Sequence, residues 1–492
     1  MPLTDEQRAV IEAEDPILKV NAVAGSGKTT TLLEFAAHRP DSRILYLAYN
    51  RSVADEVRVK AKAKSLGNLT VNTIHGLVYR HANGHRYELE HELSEWRILD
   101  RYVPTADRAS KQGILYAWLL KDLVNYYLNA AVTALDGDLL VQYQAATLPG
   151  EAIRTLIRKR SDEIVALVRC ILSDMKHRQA PAVHDFYLKM FQFAKLRLPY
   201  DVILVDEAQD TSGVMLSIVG RQEHAQRVFV GDGFQQIYAF RHAVNSLDRV
   251  EGKAYWLSQT FRFGDGLAQH LGQRVNQAYE LLGENPALKI RGTAEDTRFG
   301  KRALKNQFPL TVIARSNLSL FEAALERLEG GATALHFEGG YPGYAFLNAR
   351  VIGLLYLWQE QPGKIKDPFI GKFRSFEDAR RFAKDTQNAG LSGMIDLVSR
   401  YGAGLFDFDR MIKERLVDKG QAKLIFTTTH KAKGQEYDNV EMVEDDFATR
   451  SDLAKLLNSD RDEVSPAKLK EEINVYYVAA TRARKSIRLA PF

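Results

Sequence analysis

Cysteine is almost missing from this chain. Its 492 residues contain one, Cys170, so a disulfide framework within the chain is impossible and a Cys-rich zinc site is excluded. That usage points to a reducing compartment. Long apolar runs are missing too. Nothing approaches the ~18 residues that a bilayer-spanning helix requires, and "VIGLLYLW" (residues 351–358) reads as a core helix. The N-terminus, "MPLTDEQRAV", is polar and acidic, which excludes a signal peptide. Repeats, low-complexity tracts and a disordered tail are absent as well. The expectation is a soluble, cytoplasmic protein, nucleoid-associated if bacterial, with no membrane partner.

What is present is ordinary packing material: 45% hydrophobic residues, enough for several cores. The length suggests about three domains. A net charge of +5 and a pI of 8.9 suit a polyanion partner without requiring one. The first part alternates strands ("ILKVNAV", "RILYLA", "LTVNTI") with helical patterns, which predicts a doubly wound α/β unit with a parallel sheet. Residues 79–198 turn to long Leu- and Tyr-rich helical stretches, read as a helical insertion. The α/β pattern resumes with "VILVDEAQD" and "RVFVGD", so residues 1–78 and 199–253 form the first unit. A second unit is expected from residue 254, with "AYWLS", "LTVIARS", "AKLIFTTT" and "NVEMV" as strands. It comprises residues 254–329 and 420–492, interrupted by an insertion at 330–419.

"AVAGSGKTT" follows the first strand and opens the first helix, the context of a phosphate-binding loop. Glycines let backbone N–H groups approach phosphate oxygens, and the helix N-terminus favours negative charge. Ala24, Gly25, Ser26, Gly27 and Thr30 line such a loop. Lys28 would reach the β/γ-phosphates and Thr29 would hold Mg²⁺. Ala22 stands where the pattern usually has its first glycine. Downstream, "VILVDEAQD" ends a strand with adjacent acids: Asp206 suits Mg²⁺, and Glu207 suits orienting or deprotonating the attacking water. An isolated Asp-Glu is as often a solvated turn; four apolar residues before it and the loop upstream favour hydrolysis.

With these two motifs the chain resembles a superfamily 1 helicase of the UvrD/Rep type, from residue 3 to about 487. "LTDEQRAVI" resembles the adenine-recognising glutamine motif, which implies Gln7 on the base. "YLAYNRSVADEV" and "VNTIHGLVYR" resemble DNA-backbone motifs, implying Tyr49, Asn50, Thr73 and His75 as contacts, although Ala48 stands where many relatives have phenylalanine. "SQTFRFG" implies Phe261 stacked on adenine and Arg262 at the γ-phosphate. "FTTTHKAKGQEYDNV" implies His430 for DNA and Glu436 for the ribose. "VYYVAATRARKSI" implies Arg482 as an arginine finger, a role worth about 10³–10⁵ in rate. In "VFVGDGFQQIYAFRHA" (residues 228–243), Gln235 would sense the γ-phosphate while Tyr238, Phe240 and Arg241 contact nucleotides. "AGSGKTTTL", "YLAYN", "TIHGL" and "HANGHRY" resemble in particular the helicase region of F-box DNA helicases.

The resemblance implies two RecA-like motor domains, each with a mainly helical insertion, the second shorter than usual. It implies an ATP- and Mg²⁺-dependent translocase on single-stranded DNA, moving 3′→5′ and unwinding at junctions with duplex. An F-box before the glutamine motif and a nuclease after the last motif are not expected. The rival reading is a DNA-dependent ATPase that serves a separate nuclease or recombination protein, in repair, recombination control or phage defence. A non-motor P-loop switch would not need both Arg262 and Arg482.

Overall fold

The computed structural model describes residues 2–82, 84–108, 110–238, 245–285, 288–300, 303–304, 307–458 and 466–492. Two six-stranded parallel sheets organise it. The first comprises β1 (Ile17–Ala22), β2 (Ile44–Ala48), β3 (Leu69–Thr73), β4 (Val202–Val205), β5 (Gln226–Gly231) and β6 (Lys253–Leu257), in the order β3-β2-β4-β5-β1-β6. The second comprises β7 (Arg298–Phe299), β8 (Leu310–Ala314), β9 (Leu335–Phe337), β10 (Leu424–Thr428), β11 (Tyr437–Met442) and β12 (Ala483–Arg488), in the order β7-β12-β11-β8-β10-β9. β2, β4, β8 and β10 are buried along their whole length. They therefore read as continuous apolar runs and not as alternating ones, as strands covered on both faces must.

Two assignments from the sequence change. The strand in "AYWLS", expected to open the second unit, is the edge of the first sheet: Leu18 to Ala22 pair with Lys253 to Leu257. An apolar run carries no signal for which of two sheets it joins, and the chain crosses over only after Leu257. β9 falls inside the range expected to be the second insertion, yet it pairs with β10. The Gly-rich segment "GGYPGYAF" packs against β9. It folds Tyr341, Tyr344 and Phe346 back onto Phe337, which also stacks on Phe426 at 5.2 Å.

The helical insertions match the periodicity. Lys111–Asn129, Gly137–Thr147, Glu151–Lys176 and His184–Ala194 build the first. Ala349–Trp358, Phe376–Asp385, Ala389–Tyr401 and Leu405–Lys413 build the second. The two share one apolar cluster with the second sheet. Arg350 joins them, facing Glu95 at 3.1 Å and Asp367 at 3.7 Å, and Lys372 sits over the Trp96 ring. Among the described residues no helix is long and apolar enough to cross a membrane.

Burial separates core hydrophobic side chains from surface ones. Phe337 is 1% exposed, so Phe337→Ala is expected to cost about 3–5 kcal/mol. Val141 is 64% exposed, and Val141→Ala is expected to stay within about 0.5 kcal/mol of wild type. Urea denaturation of the two variants checks both.

Candidate active site

All the strands of the first sheet run the same way, so their C-terminal ends form one rim, the place where open α/β sheets bind ligands. After β1 the chain makes the glycine-rich loop expected to bind phosphate. Gly25 and Gly27 take left-handed φ of 74° and 77°, open to glycine without strain. A Cβ on Gly25 would lie 2.7 Å from both Arg262 Cβ and Thr260 Oγ1, so glycine lets the loop approach that segment. Ala22 is the last residue of β1, in register with Leu257. That position is regular strand and needs no glycine, which accounts for the departure. The helix Lys28–Ala37 starts without a side-chain cap, leaving its first N–H groups to a ligand.

Gln7 belongs to the capping box of the helix Asp5–Ile11, and its Nε2 donates to Ser26 O at 3.5 Å. A Cβ on Gly27 would meet both Gln7 Nε2 and the Phe261 ring, so the residues expected around adenine converge on the loop. Phe261 also borders a cavity of about 460 Å³ beside that helix.

Asp206 and Glu207 follow directly on β4. Lys28 Nζ lies 3.1 Å from Glu207 Oε1. The Tyr46 hydroxyl donates to Asp206 Oδ2 at 2.7 Å, and the Thr29 side chain is hydrogen-bonded to the same tyrosine. Burial, and then the Glu207 charge, push Asp206 up. Burial pushes on Glu207 as well, but Lys28 and Lys433 outweigh it and hold its carboxyl below the usual range. Lys28 is held above its ordinary value because Glu207, Asp206 and Asp232 outweigh its burial. A hydroxyl and a carboxylate meeting at Tyr46 fit Mg²⁺, which takes few protein oxygens and completes its shell with water and phosphate. Among the described residues there is no group of three or more His, Cys, Asp or Glu that could hold a metal ion.

The second unit closes the cleft. Arg482 is 1% exposed; its Nε donates to Val478 O at 2.8 Å and Nη2 to Gln235 Oε1 at 3.3 Å. Burial, with Arg262 nearby, pushes it down to about 9. Arg262 donates to Glu436 Oε1 at 2.6 and 2.9 Å and to Thr481 O at 2.9 Å. Glu436, expected on a ribose, thus serves Arg262 here. Gln235 Nε2 donates to Asp232 Oδ2 at 2.8 Å.

On the expected DNA face, Tyr49 and Tyr238 stack at 5.8 Å with 16° between planes. Tyr238 also donates to His430 O at 3.2 Å, and His430 Nε2 meets Ile237 O at 3.1 Å. Burial, then Arg315, push His430 down to about 4, so its ring is neutral near pH 7. Asn50 and Thr73 cap helices through Val53 N and Gly76 N, and His75 faces Asp185 at 2.9 Å. Tyr49, Asn50, His75 and Tyr238 line one cavity of about 800 Å³ that reaches Asp206 and Glu207. Phe240 and Arg241 lie outside the described residues.

Sequence reasoning missed three participants. Gln209 donates to Glu207 Oε2 at 2.5 Å. Tyr477 accepts from Ala24 N at 3.4 Å, tying the second unit to the phosphate loop. Lys433 pairs with buried Asp210 and donates to Gln235 O at 2.6 Å. All lie within the motif stretches, but polar residues with no periodicity give no sign of which neighbour they will find.

Residues 3–249 match the UvrD/REP helicase N-terminal domain and residues 360–490 the UvrD-like helicase C-terminal domain. The chain belongs to the UvrD/REP helicase family. It is 29% identical over 534 residues to F-box DNA helicase protein 1 of Schizosaccharomyces pombe, covering 99% of this chain and 57% of that protein. It is 28% identical over 521 residues to F-box DNA helicase 1 of Gallus gallus, covering 99% of this chain and 49% of that one. The chain therefore spans about half the length of these relatives.

The Lys433–Asp210 pair makes a stability prediction. Lys433→Met strands a carboxylate that burial has already pushed up to about 6, and is expected to cost about 3–5 kcal/mol. Adding Asp210→Asn should recover most of the loss. Denaturant unfolding of both variants reads the difference.

Proposed function

We propose that the protein is an ATP-dependent motor that moves 3′→5′ on single-stranded DNA and unwinds duplex at junctions. The observation that carries this reading is the turn after β5. Gln235 at its start contacts Arg482 of the second unit, and Tyr238 three residues on stacks on Tyr49 and contacts His430. One short segment thus touches the charged cleft and the aromatic face at once.

In this reading Lys28 and the loop N–H groups bind the phosphates. Glu207 accepts the proton of the attacking water. Arg262 and Arg482 donate to the oxygens on which charge grows in the transition state. Mg²⁺, held by Thr29 and Asp206, would neutralise charge on the β- and γ-oxygens when bound. Loss of the γ-phosphate removes the anion that draws Gln235, Arg262 and Arg482 together. The cleft relaxes, and Tyr238 shifts against Tyr49 and the DNA. Alternation of the grips on the two units then moves the strand in one direction.

Glu207→Gln should retain nucleotide binding and lose DNA-stimulated hydrolysis; wild-type turnover would remove Glu207 from the chemistry. Stopped-flow translocation on strands labelled at either end tests the motor and its polarity, with a length-dependent arrival signal from a 5′ label and only immediate decay from a 3′ label for 3′→5′ travel. On a forked substrate, ATPase without strand separation would favour a motor subunit for a nuclease or recombination partner. Tyr238→Ala is expected to lower the base pairs opened per ATP while keeping much of the ATPase, because a ring that traps a base is worth about 1–3 kcal/mol.

A further inference from the structure

Glu207 is held twice. Lys28 Nζ faces its Oε1 at 3.1 Å, and Gln209 Nε2 donates to its Oε2 at 2.5 Å. The first hold cannot last through the proposed reaction, since the Lys28 ammonium is what the β/γ-phosphates would take. The second can. Gln209 is fully buried, and its Oε1 accepts the Asp232 N–H at 3.0 Å. That bond requires the amide oxygen on the Asp232 side, so the amide nitrogen has to face Glu207. The same nitrogen lies 3.4 Å from Asp210 Oδ2, a weaker contact.

The surroundings leave the amide little choice. A Cβ on Gly231 would lie 2.3 Å from Gln209 Oε1 and 3.0 Å from Ala208 N, so glycine at the end of β5 keeps the space that the amide fills. Glu207 itself has φ +51°, a left-handed conformation that a glutamate takes at a cost and keeps only where its surroundings fix it. Asp232, whose N–H fixes the amide, also accepts from Gln235 through Oδ2 at 2.8 Å. A continuous chain therefore runs Gln235, Asp232, Gln209, Glu207.

We propose that Gln209 is the positioning residue for hydrolysis: it keeps Glu207 aimed at the attacking water once Lys28 has turned to the nucleotide, and it links that aim to the state of Gln235. The inference rests on the assignment of Glu207 as the base.

Two variants separate positioning from packing. Gln209→Glu keeps an acceptor for the Asp232 N–H but loses the donor to Glu207. Gln209→Met fills similar space and loses both bonds. Both are expected to lower kcat of DNA-stimulated hydrolysis about 100-fold, the scale of a misplaced catalytic group, with the KM for ATP near wild type. Gln209→Glu sets a second buried carboxyl against Glu207 and is expected to melt lower. Gln209→Met adds no charge and is the deciding variant, expected to melt only slightly below wild type for the unpaired Asp232 N–H. Wild-type kcat in Gln209→Met overturns the inference. So does a loss of kcat in Gln209→Met that only follows a lowered melting temperature, because packing then suffices. Glu207→Gln, measured alongside, tells the two readings apart. If it is inactive while the Gln209 variants turn over normally, only the positioning role falls. If it turns over at the wild-type rate, the base assignment falls and this inference with it.

Discussion

The ion pair between Lys28 and Glu207 is the contact on which the rest of the cleft depends. Taking either charge out of water costs several kcal/mol unless neighbours replace the lost solvation. The neighbours come from every strand that ends nearby: Tyr46 from β2, Asp206 from β4, Asp232 just after β5, with Lys433 and Arg482 from the second unit. The charges are sorted by wall. Burial pushes Asp206 and Asp232 up, which marks carboxylates short of a cation, while Asp210, also pushed up by burial, keeps Lys433. Burial and Arg262 push Arg482 down, which marks a cation short of an anion. Under the proposed function, a ligand with a metal at one end and phosphates at the other would relieve both at once.

The same logic explains why both units are needed. Lys433 is buried against Asp210 and the Gln235 carbonyl, and Tyr477 reaches the Ala24 N–H. Pulling the units apart leaves a buried carboxylate without its partner. In the proposed reading a bound nucleotide would add contacts in the closed state alone, which is the differential interaction a ligand must have to drive a conformational change.

The placement of the "AVAGSGKTT" loop after β1 and of the "VDEAQD" acids after β4 was legible in the sequence because each is local. One strand and one turn set all the geometry, and the residues that act together are adjacent in the chain. Legibility failed wherever partners are distant or one residue has two uses. β6 and β9 are short runs whose sheet is decided by long-range pairing, so their membership was misread. Gln209 and Lys433 carry no periodicity. Asn50 and Thr73 were read as DNA contacts, and their side-chain oxygens are helix caps. The two roles are compatible: a cap commits an acceptor, whereas a phosphate takes donors, and the first turn of each capped helix supplies backbone N–H groups. Glu436 is the reverse case. Its carboxylate is occupied by Arg262, so a ribose contact would need that pair to loosen.

The stacked tyrosines bear on how firmly a motor of the proposed kind should hold DNA. An aromatic pair such as Tyr49 and Tyr238 is worth about 0.5–1.5 kcal/mol beyond its area. A base on one ring is worth about 1–3 kcal/mol, and a DNA base-pair step about 1.4 kcal/mol. The three are of one size. Under the proposed function, exchanging ring–ring for ring–base stacking would be close to balanced, so that a small push from Gln235 and its neighbours would decide it. A much stronger trap would hold the base through the step in which it has to be released, and a much weaker one could not compete with the duplex. His430 fits the same requirement. Neutral and bonded to the Ile237 carbonyl, it adds no fixed charge that would pin a phosphate at the point where the strand must slide.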